Sequence, residues 1–127
     1  MTRRRRWWVA VFAYAAVVFV VSVIPDGPDF AGGRLDKAAH LCEYFLFAWL
    51  LLQALPPTSL VGGQAVRAYR LWAWSYATSY GLLMELIQAM VPWRSAEWGD
   101  VVANAVGAVL GVWLGREIPG AVKKVVQ

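Results

Sequence analysis

The sequence predicts an all-α integral membrane four-helix bundle with both termini in the cytoplasm, and three observations carry that expectation. Of 127 residues, 60% are apolar and only 16% are charged, with a mean hydropathy of +0.50. A water-soluble domain this small needs far more polar surface to cover itself. Four apolar segments approach the roughly 20 residues that cross about 30 Å of hydrocarbon at 1.5 Å per residue. Lysine and arginine also fall unevenly between the segments that connect them.

Each span has its own boundaries. Residues 7–24 carry no charge and stop at the turn-rich run Pro25-Asp26-Gly27-Pro28. Residues 38–55 stop at Pro56-Pro57 and hold His40, Glu43 and Gln53. Residues 71–91 stop at Pro92 and hold Glu85 and Gln88 near the far end. Residues 101–118 are the weakest span, with Asn104 inside and Arg116 near the end. The whole chain, 1–127, reads as a single membrane domain, with neither a repeat nor a low-complexity tract. The start resembles a signal peptide in having Arg3 to Arg6 before an apolar run. That run exceeds the usual length of about 7–15 residues and no small-residue cleavage pattern precedes Pro25, so an uncleaved first helix is expected.

Orientation follows from the basic residues. A cytoplasmic N-terminus puts nine of them inside (Arg3, Arg4, Arg5, Arg6, Arg67, Arg70, Arg116, Lys123, Lys124) and three outside (Arg34, Lys37, Arg94). The acids Asp26, Asp29, Asp36, Glu97 and Asp100 fall outside, against Glu117 inside. A net charge of +4 does not imply nucleic acid, because the basic residues form no common face. The single cysteine, Cys42, excludes an internal disulfide and a multi-cysteine metal site. Ala103, Gly107, Gly111 and Gly115 recur every four residues and mark a small-residue stripe, used either for packing within the bundle or for a homodimer.

The polar residues inside the spans share one depth. Counting from the outer boundary, His40 lies about 3 Å deep, Gln88 and Asn104 about 5 Å, Glu43 about 8 Å and Glu85 about 9 Å. Asp36, Lys37, Arg94 and Asp100 lie at the boundary, while the inner half has little beyond Gln53. Asp36, His40, Tyr44 and Phe47 share one face of the second helix, and Asp100, Asn104, Gly107 and Gly111 a similar face of the fourth. An ionised carboxylate in hydrocarbon costs at least about 2.5 kcal/mol, so Glu85 should face the bundle interior and hold a proton or a partner, His40 or Arg94.

Blander roles exist for each residue. Asp36 and Asp100 can cap helices, His40 can snorkel, Arg94 can anchor a loop and Glu85 with Gln88 can glue helices. Together, however, they describe an anion-binding environment. The second and fourth helices begin beside this layer and turn their positive ends toward it, with Lys37 and Arg94 nearby. His40, Glu85 and Asp100 are the candidate catalytic groups, as base, acid and orienter respectively. Asp36, Lys37, Tyr44, Gln88, Arg94 and Asn104 are the candidate substrate-binding groups. His40 with two carboxylates could instead hold a divalent metal, but neither H-x-x-x-H nor H-E-x-x-H occurs, so no metal is assigned and no cofactor is implied.

These residues also form a recognisable order. Asp36-Lys37-x-x-His40-x-x-x-Tyr44, Glu85-x-x-Gln88, Pro92-x-Arg94 and Asp100-x-x-x-Asn104-x-x-Gly107-x-x-x-Gly111 resemble the VanZ-like family of small bacterial membrane proteins, over roughly residues 35–115. The resemblance implies a multi-pass protein of the bacterial inner membrane and a link to resistance against the glycopeptide teicoplanin. Trp98-Gly99 before Asp100 and the extra acid Glu43 depart from the pattern without touching the matched positions. Two functions follow. The first is an outer-leaflet site that binds, and could modify, a cell-envelope lipid or lipid-linked precursor, with membrane lipids as partners. The second is a non-catalytic assembly component whose polar layer only fixes helix packing. A transporter is disfavoured by the apolar inner half.

Overall fold

The structure, a computed structural model, describes residues 1–25, 34–55 and 63–115, all helical or in short connections. Asp26, Asp29 and the basic tail with Arg116, Lys123 and Lys124 lie outside the described residues. Four helices follow in order: α1 (Arg3–Val23), α2 (Arg34–Ala54), α3 (Gly63–Met90) and α4 (Trp98–Leu114), with no strand among the described residues.

The prolines act as expected: α1, α2 and α3 each end just before one, because proline lacks the N–H and disfavours helical geometry in the residue before it. The third helix differs from expectation. It begins at Gly63, eight residues before the apolar window, and carries Arg67 and Arg70 in regular helix. Arginine is a good helix former, so hydropathy ends earlier than helicity does. The fourth helix ends at Leu114, whereas a span to residue 118 was expected, and residues 116–118 lie outside the described residues. Of the four, only α1 is by itself long and apolar enough to cross a membrane. α4 is apolar but has 17 residues, and α2 and α3 are diluted by charged and polar groups.

Side-chain pairings set the topology. Trp7 meets Trp49, and the Tyr14 hydroxyl donates to the Glu43 carbonyl at 3.0 Å, so α1 and α2 run antiparallel. The Tyr80 hydroxyl donates to the Ala15 carbonyl at 2.6 Å and Trp93 Nε1 to the Val23 carbonyl at 2.9 Å, so α1 and α3 run parallel. Tyr69 donates to the carbonyls of Leu52 and Leu55, closing the C-terminal end of α2, where intrahelical partners run out. Phe47 is the aromatic hub, packed against Tyr14, Tyr44 and Tyr80 from three helices.

The most extensive contact joins α2 and α4, which lie parallel. A Cβ at Gly107 or Gly111 would fall onto the backbone carbonyl of Leu41 or Phe45 respectively, so only glycine permits this approach. Gly115 is buried beside Trp49 and Leu52. Gly107, Gly111 and Gly115 of the small-residue stripe are therefore packed against α2 of the same chain.

Candidate functional site

The topology brings the start of α2, the end of α3 and the start of α4 to one end of the bundle. His40 Nδ1 lies 3.0 Å from Asn104 Oδ1. An amide oxygen only accepts, so Nδ1 carries the hydrogen and Nε2 faces the other way. There it meets two carboxylates, Asp36 Oδ1 at 3.9 Å and Asp100 Oδ2 at 3.9 Å. Lys37 bridges to α4 through Glu97 Oε2 at 3.1 Å and Asp100 Oδ1 at 3.5 Å. Gly99 makes room for this, since a Cβ there would lie 2.6 Å from the Lys37 Cε. The hydrogen bond to Glu97 holds the Lys37 ammonium above its ordinary lysine value. A raised value means the pair is complete below the ordinary lysine range and is lost only as pH climbs beyond it.

Neither aspartate is a helix cap. Glu97 occupies the N-cap position of α4 without a side-chain cap bond, Asp100 is the third residue inside, and Asp36 is the third residue of α2. The carboxylates still sit in the first turns, where the positive helix ends favour them.

Glu85, Gln88, Asp100 and Asn104 are 4%, 3%, 3% and 1% exposed. Gln88 Nε2 donates to the Ser22 carbonyl at 3.3 Å, tying α3 to α1. Both Glu85 oxygens are buried and no side chain hydrogen-bonds to them; a neighbouring polar group is the Glu97 backbone N–H. The charges this carboxylate feels include those of His40, Asp100 and Asp36. The expectation that Glu85 pairs with His40 or Arg94 is thus corrected: neither reaches it. Arg94, half-buried in the connection between α3 and α4, makes no side-chain hydrogen bond or ion pair among the described residues. Tyr44 is buried beneath the site with its hydroxyl unpartnered, and Gly81 makes room for it, since a Cβ there would lie 2.9 Å from the Tyr44 ring and 3.0 Å from Asn104 Nδ2. Glu43 turns its backbone carbonyl to Tyr14, on the α1 side of α2.

Asp36, Lys37, His40, Asp100 and Asn104 are therefore in direct mutual contact, while Glu85 lies within their electrostatic range. The sequence offers His40 with two carboxylates without fixing which two; the structure groups Asp36 and Asp100 with it, the ligating atoms lying within 4.8 Å of one another. The Asp36–His40 spacing of four was the available signal.

An all-helical chain with a polar cluster at one end of a parallel α2–α4 seam is the class that fold and site define. The profile of the VanZ/LLP1 family matches residues 2–118, and the chain belongs to that family. No curated protein and no solved structure matches it.

Proposed function

We propose that this chain is a multi-pass protein of the bacterial inner membrane, with both termini cytoplasmic. In this reading its polar end sits in the outer leaflet and binds, and could modify, the anionic head group of an envelope lipid or lipid-linked precursor. Teicoplanin resistance is the family-level association that such a site would serve. The observation that carries the reading is the buried Glu85 carboxylate, without a side-chain partner, beside a cluster that holds the Lys37 ammonium. Residues that serve only as glue between helices are paired, as Gln88 is with Ser22.

The membrane setting is supported by large apolar side chains exposed on every helix, among them Phe12, Val20, Trp72, Leu86, Val109 and Trp113. Such a continuous apolar surface belongs in lipid. Arg3 to Arg6 occupy the first turn of α1, where the helix dipole disfavours cations. Their placement makes sense beside anionic cytoplasmic head groups.

The test is lipid analysis of the purified chain. Wild type should retain one defined anionic lipid that Glu85→Gln and Arg94→Ala variants, folded to the same yield, lose. Identical lipid content in all three proteins would overturn the proposal in favour of a polar layer that only fixes packing.

A further inference from the structure

The donor grouping at the head of the α2–α4 seam has properties that hydrogen bonding alone does not explain. The contact of His40 Nδ1 with Asn104 Oδ1 leaves Nε2 turned toward Asp36 and Asp100. At 3.9 Å, neither carboxylate is within the roughly 2.7–3.2 Å of an N–H···O hydrogen bond. An imidazole nitrogen facing two carboxylate oxygens calls for a positive charge between them, and three donor atoms converging on one point can hold a metal ion there. Three carboxylates (Asp36, Glu97, Asp100) surround His40 and Lys37, and the Lys37 ammonium is engaged with Glu97 and with the Asp100 oxygen turned away from the imidazole.

We infer that Asp36, His40 and Asp100 bind one first-row divalent cation, of the Zn²⁺ or Mn²⁺ kind. One imidazole nitrogen with two carboxylates suits these ions, whereas an all-oxygen set would suit Mg²⁺ or Ca²⁺. Donors about 2.0–2.2 Å from such an ion lie about 3.0–3.5 Å apart at tetrahedral or octahedral angles. The two approaches to His40 Nε2 exceed that by about half an ångström and the three donor atoms span up to 4.8 Å, so rotation of the two carboxylates must close the set around an ion. Asn104 fits the role of the outer partner that fixes the imidazole tautomer and aims the ligating nitrogen.

Independent support comes from α3. Glu85, 4% exposed and without a side-chain partner, feels the charges of His40, Asp100 and Asp36, the three proposed ligands. A carboxylate buried beside two others is tolerable where a dication offsets them. The ion would also place positive charge beside the N-termini of α2 and α4, where a phosphate would arrive.

The experiment uses the full chain purified in detergent, stripped with chelator, then equilibrated separately with Zn²⁺ and Mn²⁺ in the absence of added lipid. Bound metal per chain and the thermal unfolding midpoint are read for wild type, Asp36→Asn and His40→Gln. Wild type should bind about one ion per chain with a raised midpoint. Loss of an outer partner alone weakens metal affinity about 10–100-fold, so loss of either ligand should weaken it at least tenfold. Asp36 is half-exposed and, among the described residues, its side chain approaches only His40, at 3.9 Å, so Asp36→Asn carries the test even where His40→Gln fails to fold. A wild type that binds neither ion would mean that a proton on Nε2 supplies the missing charge, and would overturn the inference. Equal affinity in wild type and Asp36→Asn would overturn it as well. Because no lipid is added, failure here leaves the lipid-binding reading to its own test.

Discussion

Replacing Glu85 by glutamine separates a working site from structural glue by the size of a stability change. Glutamine keeps the shape of the side chain and removes the ionisable group. Both Glu85 oxygens are buried and no side chain pairs with them, and glutamine keeps an oxygen for the Glu97 backbone N–H. A carboxyl without a charged partner holds its proton, and a neutral acid or an amide of the same shape each costs about 1–3 kcal/mol where it is buried unpaired. The two nearly cancel, so the variant should match wild type within about 1 kcal/mol. A carboxylate paired across helices would behave otherwise, because breaking a buried ion pair costs about 3–5 kcal/mol. Reversible unfolding in mixed micelles, followed by the fluorescence of the eight tryptophans, resolves that difference. A loss of 3 kcal/mol or more, on the scale of that broken-pair cost, would refute the claim that Glu85 is held for function.

The α2–α4 seam and the topology can be tested in parallel. Gly107→Ala sets a methyl against the Leu41 carbonyl, with the carbonyl carbon at 2.9 Å and Cα at 3.0 Å, where ordinary contact begins at 3.4 Å. The clash is with backbone, so overpacking of about 1–3 kcal/mol should outweigh the helix gain of up to about 1 kcal/mol from glycine to alanine. A lower unfolding midpoint is expected, and an unchanged one would show that α2 and α4 can part freely. Reporters fused at either terminus should be active only on the cytoplasmic side, and one inserted in the connection of residues 91–97 only outside. The reverse pattern would move the polar end to the inner leaflet.

How far the sequence discloses this molecule depends on whether a feature is local. Helix ends at Pro25, Pro56 and Pro92 are local events of backbone geometry, and they are readable. The shared end of His40, Glu85 and Asn104 is readable as well, since counting residues along antiparallel neighbours gives depth. The start of α3 was misjudged because apolarity reports a setting while helicity reports backbone preference, and Arg67 and Arg70 satisfy the second without the first. Which two carboxylates join His40 stayed open for a different reason. Histidine pairs on one helix are visible as spacing, but Asp100 comes from another helix, and only tertiary register brings it to His40.

That register has a simple origin. α2 and α4 are parallel, and Leu41 faces Gly107 as Phe45 faces Gly111, a constant offset of 66 residues along the seam. Carried toward the N-terminal ends, nearly the same offset sets His40 beside Asn104 and Asp36 near Asp100. The glycines therefore act on the site from a turn or more away: by letting the two backbones touch, they fix the rotation and height at which the polar faces meet. Widening the seam by even half an ångström would stretch the 3.0 Å contact of His40 with Asn104 to the limit of a hydrogen bond. A methyl on Gly107 should thus weaken metal binding at Asp36, His40 and Asp100 although it touches none of them. If affinity instead survives Gly107→Ala while the unfolding midpoint falls, the polar end is positioned by its own contacts, and the glycine seam serves stability alone.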